Sequence, residues 1–318
     1  MPNAVFLNAA KLDFDGRLDF SPVTRMASFT RFETSSESEI LGRVQGQDIV
    51  ITKELPVGRE LIQAFPASVK LLIEAGTGYN NLDLAAARER GVTVCNIPAY
   101  SSAAVAQLTV ALMLNLASSL HVQQRMLLGG DRTNFTQHLK VPHGEVQGKT
   151  LGLIGGGAIG RQVIQVATAL GMRVLVCDPA PLPDLGSNAH AAVLEEVLAE
   201  SDFLSLHCPL TPETRHLIRT ETLRLMKPTA CIINCARGPI IREADLVAAL
   251  DQGRLAGAAL DVQEVEPPSA ESPLWNHPKI LLTPHIGWKP LEARQRLIGI
   301  LADNIRGFFE GRPVNVVS

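Results

Sequence analysis

Residues 150–179 read TLGLIGGGAIGRQVIQVATALGMRVLVCDP, and this stretch decides the fold. An apolar run, Leu151–Ile154, ends in three glycines. A helical apolar pattern follows over Ile159–Leu170, and a second β-rich run, Arg173–Cys177, ends in Asp178. The glycines fall as Gly155-x-Gly157-x-x-Gly160, with the acid 18 residues beyond the last. In a strand–turn–helix–strand setting, this spacing is the fingerprint of a dinucleotide-binding unit. Gly155 permits the tight turn, and Gly157 lets backbone amides approach a pyrophosphate. Gly160 lets helix and strand pack closely, while Ala158 and Ile159 open a helix whose N-terminus carries partial positive charge. Asp178 can accept both ribose hydroxyls of NAD(H) and would repel a 2′-phosphate. No lysine or arginine lies between Asp178 and Arg215, so NAD is expected rather than NADP. The competing reading, a plain glycine turn with an aspartate closing a strand, leaves the whole unit to coincidence.

Around this unit, strands and helices keep alternating. After it come strand-like runs at Phe203–Leu206, Cys231–Asn234, Ala256–Leu260 and Ile280–Leu282. Helical patterns lie near Val193–Ala199, Glu221–Met226, Ala244–Leu250 and Leu291–Phe309. Before it, Ala4–Leu7, Asp48–Ile51, Val69–Ile73 and Val92–Cys95 read as strands, and Ile40–Val44, Arg59–Ala64 and Leu84–Arg90 as helices. Ser36-Glu37-Ser38-Glu39 has capping-box spacing, and Gly91 stands where a helix-ending glycine belongs. Such alternation specifies parallel sheets covered on both faces. Two doubly wound α/β domains are expected, joined by the long apolar helix at 103–120; residues 121–148 fit neither series and read as an extended arm.

The totals agree and exclude several classes of function. A chain of 318 residues with 46% hydrophobic and 19% charged residues is an ordinary globular composition, long enough for two domains. A formal net charge of −3 and 4% aromatics argue against nucleic-acid or membrane partners. Five cysteines without a C-x-x-C pair read as reduced thiols of a cytoplasmic protein, with Cys95, Cys177 and Cys231 as small buried hydrophobes. The N-terminus lacks the basic and apolar regions of a signal peptide. The histidines at 121, 138, 143, 190, 207, 216 and 277 show no metal-ligand spacing, and no metal is expected.

Three further blocks end predicted strands in polar residues, where doubly wound sheets form binding crevices. They are INCARGPIIREADLVAAL with Arg237, GAALDVQEVEPP with Asp261 and Glu266, and LLTPHIGW with His285. A glutamate beside a histidine makes a general acid whose imidazolium is held oriented, and an arginine offers a planar fork to a carboxylate. With a nicotinamide, that set suits reduction of a small 2-oxo acid to a 2-hydroxy acid.

The chain resembles the D-isomer-specific 2-hydroxyacid dehydrogenase family over roughly residues 45–315. The resemblance rests on AGTGYNNLD (75–83), NIPAYSSAAVAQ (96–107), GKTLGLIGGGAIG (148–160) and HCPLTPETRHLI (207–218). It continues through NCARGPIIREADLVAAL (234–250), LDVQEVEPP (260–268) and TPHIGW (283–288). It implies a Rossmann NAD-binding domain, residues 99–285, inserted in a discontinuous flavodoxin-like substrate domain, residues 1–98 and 286–318, with a closing cleft between them. It implies that His285 is the acid/base, Glu266 its partner, and Arg237 a substrate-binding residue. Backbone amides around Thr77 and Gly78 would cradle the substrate carboxylate. Asp261 would face the nicotinamide carboxamide, Pro209 and Thr214 would lie by the adenosine, and Cys235, Ala236 and Gly287 would line the cofactor.

The 103–148 helix and arm would form a homodimer contact. Within the family the motifs are most similar to glycerate dehydrogenases, that is, hydroxypyruvate and glyoxylate reductases. HIGWKP departs from their commoner HIAWA form, and the arm lacks their tryptophan. Trp288 is read either as substrate-pocket wall or as domain-junction packing. Lys53 and Glu74 could reach the substrate mouth, with solvated surface charge the simpler reading for Lys53. No regulatory domain like that of longer phosphoglycerate dehydrogenases is expected. The same fold occurs in transcriptional corepressors, so a non-catalytic NAD-sensing binding protein is the second reading.

Overall fold

A computed structural model describes residues 1–182 and 185–318. The chain divides into two compact units, residues 1–101 with 289–318, and residues 102–288.

In the first unit, strands β1 (Asn3–Phe6), β2 (Ser28–Arg31), β3 (Ile49–Thr52), β4 (Leu71–Glu74) and β5 (Thr93–Cys95) form one sheet in the order β2-β1-β3-β4-β5. Every pairing is parallel. Helices cover both faces of such a sheet, which is why β3 and β4 are apolar almost without alternation and buried throughout. One core cluster joins Val5, Val50, Leu72 and Val94 of the sheet to Ile40, Ile62 and Ala86 of the helices. The order is that of a flavodoxin-like sheet, and its direction of winding reverses between β1 and β3. The helix Leu84–Glu89 ends as expected, with Gly91 at φ +66°.

The last helix, Leu291–Phe309, belongs to this unit. Buried polar side chains fix it there. Asn304 Nδ2 donates to the Asn96 carbonyl at 2.9 Å, and Arg294, 2% exposed, forks onto Asp15 at 2.6 and 2.9 Å.

The second unit holds β6 (Thr150–Ile154), β7 (Arg173–Cys177), β8 (Ala189–Ala191), β9 (Phe203–Leu206), β10 (Cys231–Asn234), β11 (Gly257–Leu260) and β12 (Ile280–Leu282). They form one parallel sheet in the order β12-β11-β10-β9-β6-β7-β8, the Rossmann order with a seventh strand added. Winding reverses between β6 and β9, so the loops after those strands face the crevice where a ligand binds.

Two strands carried no clear sequence signal. Both β2 and β8 are short edge strands, mostly exposed, so neither shows a buried apolar run. The long helix spans Ser102–Ser118 and gives way at Ser119, φ +50°, to a second helix, Leu120–Leu128, bent by 64° from the first. The start of the arm is therefore helical, contrary to the extended reading. No residue of Leu120–Leu128 is buried, so no core-facing stripe marked it. Among the described residues, no single helix is long and apolar enough to cross a membrane.

Candidate active site

The phosphate loop leaves β6 with two glycines that nothing larger could replace. Gly155 has φ +105°, and a Cβ there would lie 2.6 Å from the carbonyl carbon of His207. A Cβ on Gly160 would lie 2.3 Å from the Gly155 carbonyl oxygen. Gly157 differs: a Cβ there would meet nothing within 4 Å. Its open side, at the N-terminus of the helix Ala158–Ala169, suits a pyrophosphate approaching backbone amides. At the end of β7, Asp178 Oδ2 accepts the Gly156 amide at 2.6 Å, and Oδ1 accepts the Ala180 amide at 2.8 Å. The carboxylate is thereby aimed beside the loop, and each oxygen retains a lone pair for a ribose hydroxyl. These residues fit NAD.

Beyond β9, Pro209 is exposed and Thr214 closes the turn after it. The Thr214 hydroxyl donates to the Pro209 carbonyl at 2.7 Å and accepts the Thr211 amide at 2.8 Å. His207, which the sequence left without a role, backs the phosphate loop. Its Nε2 meets Ser205 Oγ at 2.9 Å, and its buried Nδ1 has no partner among the described residues. Burial pushes this imidazole down to about 4, so it is neutral at pH 7. Cys177 and Cys208 nearby are half-buried rather than fully buried, and burial raises both thiols.

At the end of β10, Asn234 laces the next turn. Its Nδ2 donates to the Arg237 carbonyl at 3.0 Å, and its Oδ1 accepts the Ala236 amide at 3.0 Å. Cys235 is buried in that turn, its thiol pushed up to about 12 by burial. Arg237 is half-buried, with Nη1 on the Ala236 carbonyl at 2.7 Å. The next residue, Gly238, packs directly on the loop after β11: a Cβ there would lie 1.8 Å from the Gln263 carbonyl oxygen.

That loop carries Glu266. Its Oε1 accepts the Gln263 amide at 3.1 Å, and its Oε2 lies 2.7 Å from His285 Nδ1. The structure thus brings Glu266 and His285 together as a bonded pair. With Nδ1 on the carboxylate, Nε2 is the nitrogen left to carry a transferable proton. Three residues that sequence reading missed, Glu264 in the loop and Glu243 and His216 beside it, brace the same loop. Glu264 Oε2 accepts the Glu243 amide at 3.0 Å, Glu243 Oε1 accepts the Glu264 amide at 2.5 Å, and His216 Nε2 meets Glu264 Oε1 at 2.7 Å. Burial, then the nearby Glu264 and Glu266, raises the Glu243 carboxyl.

His285 sits at φ +49°, a left-handed conformation unusual for a residue with a Cβ. Asp261, 2% exposed, holds it there. Oδ1 accepts the Thr283 hydroxyl at 2.6 Å and the Ile286 amide at 2.8 Å, and Oδ2 accepts the Gly287 amide at 2.9 Å. The His285 amide donates to the Asp261 carbonyl at 2.9 Å. The Asp261 carboxylate thus shapes the histidine turn, and Oδ2, which accepts only the Gly287 amide, retains a lone pair. Trp288 is buried at 6% exposure.

Thr77 and Gly78 belong to the first unit, in the loop after β4. The Thr77 hydroxyl donates to the Ile97 carbonyl at 3.0 Å, and the Thr77 and Gly76 carbonyls accept from Asn96 Nδ2 and the Ile97 amide. The Thr77 and Gly78 amides, by contrast, have no acceptor among the described residues. Below this loop, Lys53 is 2% exposed and Glu74 fully buried, so Lys53 is not the solvated charge it was expected to be. Among the described residues, no group of three His, Cys, Asp or Glu side chains is placed to hold a metal ion.

A Rossmann sheet with this phosphate loop, beside a carboxylate-held histidine, defines an NAD-dependent oxidoreductase. The chain belongs to the D-isomer specific 2-hydroxyacid dehydrogenase family, whose NAD binding domain matches residues 110–287. It is 37% identical over 318 residues to the hydroxypyruvate reductase of Blautia hydrogenotrophica, covering 98% of this chain and 97% of that one. It is 37% identical over 288 residues to the glycerate dehydrogenase of Methylorubrum extorquens, covering 89% and 90% of the two chains. A crystal structure of a glyoxylate reductase from Paecilomyes thermophila superposes with a TM-score of 0.85 at 31% identity, covering 100% of this chain and 99% of that one.

Proposed function

We propose that this chain reduces hydroxypyruvate to D-glycerate, or glyoxylate to glycolate, with NADH. The observation that carries the reading is the pair of Glu266 and His285, 2.7 Å apart, on a histidine turn clamped by Asp261. His285 Nε2 delivers a proton to the carbonyl oxygen, and Glu266 keeps the imidazolium charged and oriented until it does. The chemistry that bound NADH supplies is hydride donation to the carbonyl carbon. Arg237 holds the substrate carboxylate in a charge-assisted fork. In the first unit, the Thr77 and Gly78 amides are by themselves donors suited to a carboxylate. Asp178, Gly157, Pro209 and Thr214 hold the adenosine and pyrophosphate side, with Cys235, Ala236 and Gly287 toward the nicotinamide. The relatives named for hydroxypyruvate, glycerate and glyoxylate support this choice of substrates.

The protein acts as a homodimer through the helix and arm at 103–148, where Leu128 and Phe135 stand 87% and 79% exposed. Its five free cysteines suit the cytoplasm. The test is NADH oxidation with hydroxypyruvate, glyoxylate, pyruvate and phenylpyruvate in parallel. Turnover is expected with the first two; tight NADH binding without turnover of any of the four would instead favour a sensor.

A further inference from the structure

We propose that Lys53 and Glu74 are positioning residues for capture of the substrate carboxylate, holding the Thr77–Gly78 amides in place from beneath. The inference rests on the 2-oxo acid reading above and deepens it. Charged side chains are seldom fully buried, because taking a charge out of water is costly unless the fold compensates it. A buried ammonium and carboxylate therefore call for a reason other than stability, and here they stand where a ligand would be read.

The place is the winding reversal of the first sheet. Lys53 follows β3 directly and is tied to the end of β1: Asn8 Nδ2 donates to the Lys53 carbonyl at 2.6 Å, and Asn8 Oδ1 accepts the Lys53 amide at 2.9 Å. In doubly wound sheets, ligands bind at the strand ends where winding reverses. Glu74, the last residue of β4, gathers the surrounding loops. Oε2 accepts the Thr52 hydroxyl and Asn81 Nδ2, both at 2.9 Å, and Oε1 accepts the Glu54 amide at 2.8 Å. Asn81 also donates to the Leu55 carbonyl at 2.8 Å, so one carboxylate fixes both ends of the 74–81 loop against the β3 loop. Lys53 Nζ pairs with Glu54 Oε1 at 2.6 Å, and Glu54 itself is held at φ +53°.

The link to the amides is Gly76. A Cβ there would lie 3.2 Å from Lys53 Nζ and 3.3 Å from Glu74 Oε1. Both charged groups thus lie against the backbone immediately before Thr77 and Gly78. The carbonyls of Gly76 and Thr77 are fixed by Ile97 and Asn96, which turns the two amides outward. The Lys53 ammonium offsets the Glu54 and Glu74 carboxylates that lie around the same backbone, so that an anion can be received there.

The test is steady-state kinetics and oxamate inhibition of Lys53→Met, Glu74→Gln and Thr52→Val, with NADH affinity by fluorescence and Tm measured alongside. Thr52→Val removes one donor to Glu74 with little change of shape, and serves if Lys53→Met does not fold. In Lys53→Met and Glu74→Gln, KM for hydroxypyruvate and Ki for oxamate are expected to rise together by about 10-fold or more, and in Thr52→Val by about 3-fold. kcat and the NADH Kd should stay within about 2-fold of wild type. Unchanged KM and Ki in a folded Lys53 or Thr52 variant would overturn the inference. Wild type failing to turn over any 2-oxo acid would overturn the underlying reading instead.

Discussion

Replacing Gly238 by alanine is a severe test of how the acid is positioned, because the added methyl touches none of the proposed catalytic groups. Its Cβ would lie 1.8 Å from the Gln263 carbonyl oxygen and 1.9 Å from its carbonyl carbon. Ordinary contact begins near 3.4 Å, so the backbone at Gln263 has to yield by about 1.6 Å. It cannot yield alone, since the Gln263 amide holds Glu266 and Glu264 is clasped to Glu243. Glu266 then moves relative to His285, and a bond of 2.7 Å does not survive a shift above 1 Å. Misplacement on that scale costs roughly 10²-fold in rate, and overpacking costs about 1–3 kcal/mol of stability. The assay is kcat and KM with hydroxypyruvate, with NADH affinity and Tm on the same preparations. The expected result is a kcat lower by about 10²-fold, a modest fall in Tm, and little change in NADH Kd. A folded variant with wild-type kcat would refute the claim that this loop contact sets the Glu266–His285 geometry.

Other substitutions separate cofactor binding from folding. Gly157→Ala should leave Tm within about 1 °C, because its Cβ meets nothing, yet raise the NADH Kd by roughly 10-fold or more by filling the approach to the backbone amides. Equal NADH affinity would remove Gly157 from the pyrophosphate site. Asp178→Ala should weaken NADH and narrow its lead over NADPH, as the ratio of the two Kd values would show; an unchanged ratio would contradict the ribose assignment. His207 predicts an acid-stability slope. Its folded value, about 4, lies below the usual 6.5, so its contribution is intact above pH 6.5 and is lost as pH falls toward 4. Over that window the loss is roughly 3 kcal/mol, from about 1.4 kcal/mol per pH unit. Denaturant titrations of wild type and His207→Gln across pH 4–7 should show the variant with the flatter slope, and parallel slopes would refute the assignment.

The Rossmann half was legible because its signals are local. A glycine turn, a 3.6-period helix and an acid at a strand end all fall within residues 150–179. Edge strands β2 and β8 escaped because solvent on the outer side removes the apolar run that marks a strand. The return of the last helix rests on Arg294–Asp15 and Asn304–Asn96, contacts between residues far apart in sequence that no periodicity encodes. The same reason hid most of what supports the site. Glu243, Glu264 and His216 look like surface residues until the fold brings them together. Lys53, in VITKEL, reads as a charge at a strand end, and only the packing of Asn8, Glu74 and Gly76 around it shows that it is buried. For Asp261, family resemblance supplied a ligand-facing role, and its hydrogen bonds add the clamp on the His285 turn, which no sequence spacing encodes.

The most direct measurement is kcat for hydroxypyruvate reduction by His285→Ala against wild type, with NADH affinity measured on both. The account predicts a fall on the order of 10²–10⁴ in kcat, the range expected for loss of a general acid, with the NADH Kd nearly unchanged. A His285→Ala protein that binds NADH and reduces hydroxypyruvate at close to the wild-type rate would contradict it.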